Sequence, residues 1–344
     1  MAERNFSMIE YFNRLAAEHV PEMSFQGETE QDWRDWREKG FPKLKELLGS
    51  MPEPAELNPE VVYGVEENGL TRERVVIDTE EHMSVPCVVL KPVDMADDGA
   101  NAAIVCSHGH GLYGKESVTG NRSLAEIGNR IEQHNYNYGE QMARHGYLTI
   151  SPDLRVFGER SDGGDPYPGR DPCNVQFIRG MILGVYTLTL NIFDMTRIVD
   201  YLETRPEVDP EHIGMMGLSQ GGTMTTFTTA VEPRIKAADI IGYMATWRGM
   251  GIKDANFCGS QVVPDIFRYF DIADVAGFIA PRPLLLEMGI QDTCFHIDEM
   301  LPNADRVKEI YRAAGAAEDL HMDIHPGGHA FAGNKAFDFF DRYL

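Results

Sequence analysis

The chain predicts an α/β fold: a mostly parallel, doubly wound sheet with antiparallel strands at its start and a helical extension before them. Three observations carry that prediction. After residue 100, short apolar runs at 102–106, 147–151, 213–216, 237–242, 283–288 and 320–324 alternate with helical stretches, and such alternation buries parallel strands between two helix layers. Before them, β-patterned runs at 61–66, 72–78 and 84–90 are separated by turns at Gly69 and Glu80-Glu81-His82, which reads as an antiparallel entry. The 344 residues, 43% of them hydrophobic, supply a core large enough for one big α/β unit with extra elements.

Two helices are expected first, at 8–19 and 30–48, the second with Trp33, Trp36, Phe41, Leu44 and Leu47 on one side. Packing on the sheet is the usual fate of such a face, and a partner surface is the alternative. Residues 181–202 read as one scaffold helix with Asp194, Arg197 and Asp200 at helical spacing. Two long non-strand segments interrupt the alternation. The one at 157–174 is rich in Gly, Asp and Pro; the other, at 245–280, carries Trp247, Met250, Phe257, Phe267, Tyr269 and Phe270. Insertions at the carboxyl side of such a sheet shape access to a site, although core packing is the ordinary role of a single aromatic. Glu159 and Arg160 are expected to form a structural ion pair.

The stretch Gly217-Leu218-Ser219-Gln220-Gly221-Gly222 lies between the strand at 213–216 and a helical run at 223–231. A G-x-S-x-G between strand and helix makes a sharp turn that lifts the serine off the sheet's carboxyl edge. The bland reading of the same residues is a Gly-rich turn. Two other places give it context. Asp292 ends the apolar strand 283–288 after Gly289, and His329 sits in the loop His325-Pro326-Gly327-Gly328-His329 between the last strand and a terminal amphipathic helix. A serine hydroxyl needs an imidazole to take its proton, and the imidazole needs a carboxylate to fix its tautomer. Ser219, Asp292 and His329 are therefore the candidate nucleophile, orienting acid and general base, in one of the chain orders known for such triads.

An oxyanion also needs two donors. The backbone N–H of Gln220, after the serine, is one; the loop Ser107-His108-Gly109-His110-Gly111, directly after the strand 102–106, offers His110 N–H as the second. His108 and His110 could instead be a zinc pair. Against that, Leu112-Tyr113 follows rather than further ligands, and neither C-x-x-C nor H-E-x-x-H occurs in the chain.

With these motifs the chain resembles the α/β-hydrolase superfamily, and within it the acetyl xylan esterase and dienelactone-hydrolase-like branch. The resemblance runs from about Val61 to the C-terminus. It rests on the S-H-G-H-G loop, Asp153-Leu154-Arg155-Val156-Phe157-Gly158-Glu159-Arg160, the serine turn with Asp194-Met195-Thr196-Arg197 and Arg205-Pro206-Glu207-Val208-Asp209 upstream, and Gly327-Gly328-His329-Ala330-Phe331. It implies an α/β-hydrolase fold and a serine esterase or deacetylase that works through an acyl-enzyme on short acyl esters such as acetylated carbohydrates, with no cofactor. Ser219 stands where dienelactone hydrolases proper carry cysteine, so lactone opening is not implied. Phe157-Gly158-Glu159-Arg160 stands where acetyl xylan and cephalosporin deacetylases usually carry Arg-Gly-Gln-Gly. A peptidase of the same fold and a catalytically silent binding relative are the alternatives. The expected organisation is a helical extension over 1–55 packed on a catalytic domain over 56–344, with insertions near 157–178 and 245–280.

A formal charge of −23 opposes association with nucleic acid or anionic membranes. A small-molecule ester is the expected partner, and a homo-oligomer is compatible with the sequence. The N-terminal residues lack a basic region followed by an apolar core, and the longest apolar run, 181–193, is too short to span a bilayer, so a cytoplasmic protein is expected. Cys87, Cys106, Cys173, Cys258 and Cys294 are an odd set without regular spacing, expected to be small core residues or free thiols.

Overall fold

A computed structural model describes residues 4–162 and 169–344. Its centre is a nine-stranded sheet in the order β1-β2-β3-β5-β4-β6-β7-β8-β9. The strands are β1 (Glu60–Glu67), β2 (Leu70–Glu80), β3 (Met83–Pro92), β4 (Asn101–Ser107), β5 (Leu148–Pro152), β6 (Val208–Leu218), β7 (Ile235–Ile241), β8 (Leu284–Gly289) and β9 (Leu320–His325). The first three pair antiparallel, β3 meets β5 antiparallel, and every later neighbour is parallel. Patterning explains the difference. The central strands are apolar on both faces because helices cover both: Ile213, Met215, Met216 and Leu218 of β6 are all buried. At the edge, β1 is exposed along its whole length.

The helix Glu30–Leu48 begins with a capping box between Thr29 and Asp32 and ends at Gly49, whose φ of 76° suits a glycine. Leu44 and Leu48 are buried in the main core, and Trp36 stacks on Phe278 with ring centroids 4.3 Å apart. The first helix, Met8–Glu18, behaves differently from the expectation of packing. It buries only Ala16 and leaves Met8, Ile9, Tyr11, Phe12 and Leu15 exposed, because it lies mainly along the turn Trp247–Lys253 and not on the sheet.

The single helix expected at 181–202 is two. Gly184 takes a left-handed φ of 72° and caps Pro172–Leu183, after which Thr187–Leu202 starts afresh. No single described helix is long and apolar enough to cross a membrane. The insertion expected near 157–178 contains a 3₁₀ turn at Gly158–Arg160 and the start of the helix Pro172–Leu183, with residues 163–168 outside the described part.

Glu159 and Arg160 do not form the expected pair with each other. Glu159 joins Arg74 and Lys115, whose Nζ is 2.7 Å away, while Arg160 reaches Asp194 at 2.8 Å. Each therefore meets a partner from a distant segment instead of its chain neighbour.

Candidate active site

β6 runs into the helix Gln220–Val231 through Ser219 alone, with φ 65° and ψ −119°. That conformation is costly for a residue with a Cβ, by about 1–3 kcal/mol, and persists where the surroundings enforce it. Here glycines enforce it. A Cβ on Gly217 would lie 2.5 Å from the Gly221 backbone, and one on Gly221 would lie 2.1 Å from Ser107 O. The turn is tied to β7 by Ser219 N–H donating to Ile241 O at 2.9 Å.

His329 arrives from the loop after β9. Its Nδ1 is 2.7 Å from Asp292 Oδ2, which sets the Nδ1–H tautomer and leaves Nε2 for a hydroxyl. Asp292 is 4% exposed, and its other oxygen accepts the N–H groups of Cys294 and Phe295 at 2.7 and 2.8 Å. The carboxylate is thus fixed by backbone and the imidazole by the carboxylate, and the Phe295 ring stacks on the imidazole at 13°. The histidine loop is anchored from behind: His134 Nδ1–H donates to His329 O at 2.6 Å, and Ala332 N–H donates to Glu287 Oε2 at 3.0 Å. A Cβ on Gly242 would sit 3.2 Å from His329 Nδ1, which puts the imidazole directly over the end of β7 that also holds Ser219.

The loop after β4 closes the third side. His108 is fully buried; its Nδ1–H donates to Gly109 O at 2.7 Å and its Nε2 accepts Leu154 N–H at 3.0 Å. Burial pushes its pKa down to about 4, so it is a neutral structural imidazole. Both ring nitrogens are spent, so His108 cannot act with His110 as a zinc pair. Gly109 N–H is taken by the Tyr136 hydroxyl at 2.7 Å. A Cβ on Gly109 would meet Ser219 Cβ at 3.1 Å, so the loop passes against the serine turn. Beyond it, neither His110 N–H nor Gln220 N–H finds a hydrogen-bond acceptor among the described residues. The Gln220 side chain points away, donating to Ser260 Oγ at 2.8 Å.

Ser219, His329, His110 and Cys258 line one cleft of about 480 Å³. Arg130, His134 and Tyr136 line it too, and sequence reasoning missed them. Arg130 and His134 share a helix face at i, i+4 spacing, but no local motif marks that face as part of a site. The two insertions meet over the cleft, where Gly259 N–H donates to Asn174 Oδ1 at 2.9 Å.

Comparison with known proteins agrees with this architecture. A profile of the Abhydrolase family matches residues 3–332. The candidate hydrolase YtaP of Bacillus subtilis is 24% identical over 308 residues, covering 88% of this chain and 98% of YtaP. Among solved structures, a candidate acetyl xylan esterase of Bacteroides fragilis superposes with a TM-score of 0.76 at 18% identity, covering 97% of this chain and 85% of that one. A glucuronoyl esterase from Solibacter usitatus gives 0.65 at 16% identity, covering 90% and 93%.

Proposed function

The chain belongs to the Abhydrolase family, and on that premise we propose that it is a serine carboxylic-ester hydrolase acting on short acyl esters of carbohydrate-like alcohols. The observation that carries the reading is the Asp292–His329 pair, 2.7 Å apart and lining the same cleft as a serine on a strained strand-to-helix turn. In this reading Ser219 Oγ attacks the ester carbonyl while His329 Nε2 takes its proton. The oxyanion forms between Gln220 N–H and His110 N–H. His329 then gives the proton to the departing alcohol, leaving an acyl-serine. Water repeats the sequence: it loses a proton to His329, attacks the acyl carbon, and the serine leaves reprotonated. Asp292 keeps accepting the Nδ1–H bond and stabilises the imidazolium.

The alcohol's identity is read from the cleft, whose wall includes Arg130, Asn174, Asn256 and Gln261. Such hydrogen-bonding side chains suit a hydroxyl-rich leaving group better than an aliphatic one. The names of the structural neighbours, acetyl xylan and glucuronoyl esterases, point the same way.

Replacing Ser219 by Ala should lower kcat for p-nitrophenyl acetate by about 10⁶-fold and abolish fluorophosphonate labelling, with folding intact. Near-normal turnover by that variant would overturn the assignment. Acetylated sugars should outperform long-chain p-nitrophenyl esters, and faster cleavage of an amide substrate would favour a peptidase instead.

A further inference from the structure

We propose that His110, Cys173 and Cys258 form a soft-metal site, suited to zinc, in the wall of the cleft beside Ser219. One donor atom from each lies within 4.8 Å of the others: an imidazole nitrogen and two sulfurs. The His110 Nε2 to Cys173 Sγ distance is 3.5 Å. Zinc bonds of about 2.3 Å to sulfur and about 2.0–2.1 Å to nitrogen, at a tetrahedral angle, require an N···S edge of roughly 3.6 Å. The two donors are therefore already spaced for one tetrahedral ion.

The donor set is selective. Two thiols and an imidazole suit zinc and exclude magnesium or calcium, which take oxygen. Surrounding groups are arranged as they are around metal-bound thiolates. Ser260 Oγ accepts Gln220 Nε2–H at 2.8 Å, so its own proton is free to point at Cys258 Sγ, 2.9 Å away. Gln261 Nε2 donates to the same sulfur at 3.6 Å. On the other side the His110 ring is held edge-on to Phe157 with centroids 5.1 Å apart. Both cysteines are buried, whereas His110 is exposed and, with Cys258, lines the cleft. Three protein ligands with one open side facing the cleft leave a fourth position for water or a substrate oxygen.

The three residues come from the loop after β4, the first turn of the helix Pro172–Leu183 and the segment before the turn Gly259–Gln261. A cation held by all three cross-links both insertions to the loop that carries His110 N–H. The site shares His110 with the proposed oxyanion hole, through the ring and not the backbone N–H, and its readout, metal uptake, does not require Ser219.

The test uses the full chain, purified under reducing conditions with chelator and then titrated with zinc or cobalt. One metal per chain should bind, and the cobalt form should show thiolate-to-metal charge transfer with tetrahedral d–d bands. Cys173→Ser, Cys258→Ser and His110→Ala should each weaken or remove those bands, Ser260→Ala should lower affinity about 10–100-fold, and Ser219→Ala should leave the bands unchanged. Absence of stoichiometric uptake by the reduced chain overturns the proposal. So does a cobalt spectrum without sulfur charge transfer, or bands that persist in a folded Cys173→Ser/Cys258→Ser double variant. The spectrum of the unmodified chain decides the matter even where a variant fails to fold.

Discussion

Two buried clusters of charge flank β6, and they have opposite character. On the β4 and β5 side, acids alternate with cations. Lys115 Nζ is 2.6 Å from Asp153 Oδ2, Arg155 grips both oxygens of Asp194 at 2.8 and 2.9 Å, and Arg160 adds a third contact at 2.8 Å. On the β7 to β9 side, Asp239, Glu287 and Asp323 stand on adjacent strands, all at most 4% exposed, with carboxyl beside carboxyl. Burial opposes ionisation in both places. In the first, Arg160 and Arg155 outweigh it and hold Asp194 below the usual carboxylate range, while Arg74 and Lys115 draw Glu159 down to about 2. In the second burial prevails: reinforced by Glu287 it pushes Asp239 well up, and it outweighs the Ala332 and Gly333 N–H groups to raise Glu287 to about 8. The lesson is that burial fixes only the penalty, and the neighbour's sign decides which protonation state is native. The unpaired cluster also braces the His329 loop, where Ala332 N–H donates to Glu287 Oε2.

Breaking the paired cluster should have the largest effect. Asp194→Ala leaves Arg155 with Glu80 as its carboxylate and Arg160 with the Asp153 carbonyl, removes the buried acid between them, and should cost about 3–5 kcal/mol in denaturant unfolding; a loss under about 1 kcal/mol would mean the remaining partners suffice. The unpaired cluster is sharpened by pH. Glu287 binds its proton more tightly folded than unfolded, so stability should be greatest below about pH 4.5 for this group and fall as pH rises toward about 8. Glu159 runs the other way: its contribution is present above its unfolded value of 4.5 and lost as pH falls toward about 2. Glu287→Gln should therefore flatten a Tm-against-pH curve between about pH 4.5 and 8 and raise Tm at pH 9 relative to the parent. An unchanged slope in that window would show that Glu287 is ionised in the fold. Least affected should be an exposed pair: Glu30→Gln, which releases Arg34, should change stability by no more than about 0.5 kcal/mol. A larger loss would deny that burial is what gives the two clusters their weight.

Much of this was legible in advance, for reasons specific to each element. The β6 strand and its serine turn are readable because apolar runs and closely spaced glycines are local signals, and so are the antiparallel entry and the succession of strands β4 to β9 along the chain, though not the placing of β5 outside β4 in the sheet. The break at Gly184 was missed because the apolar pattern continues across it from Met181 to Phe193 while a single left-handed residue ends the helix. The first helix, expected like the second to pack on the sheet, leaves its apolar side chains exposed, because local sequence does not show whether a partner element is in reach. Glu159 and Arg160 were paired by adjacency, although a 3₁₀ turn sends neighbouring side chains in different directions.

The linear chain by itself determined the α/β alternation, the sharp turn at Ser219 and the acid and histidine loops, since these depend on periodicity and on backbone freedom within a few residues. Only the tertiary structure decided that His108 is buried and spent, that His110 faces Cys173 and Cys258, and that Asp194 is held below the usual carboxylate range while Asp239 and Glu287 are pushed above it. Those outcomes hinge on contacts between segments far apart in the chain, and the energy of a buried charge or ligand is set by what surrounds it and not by what precedes it.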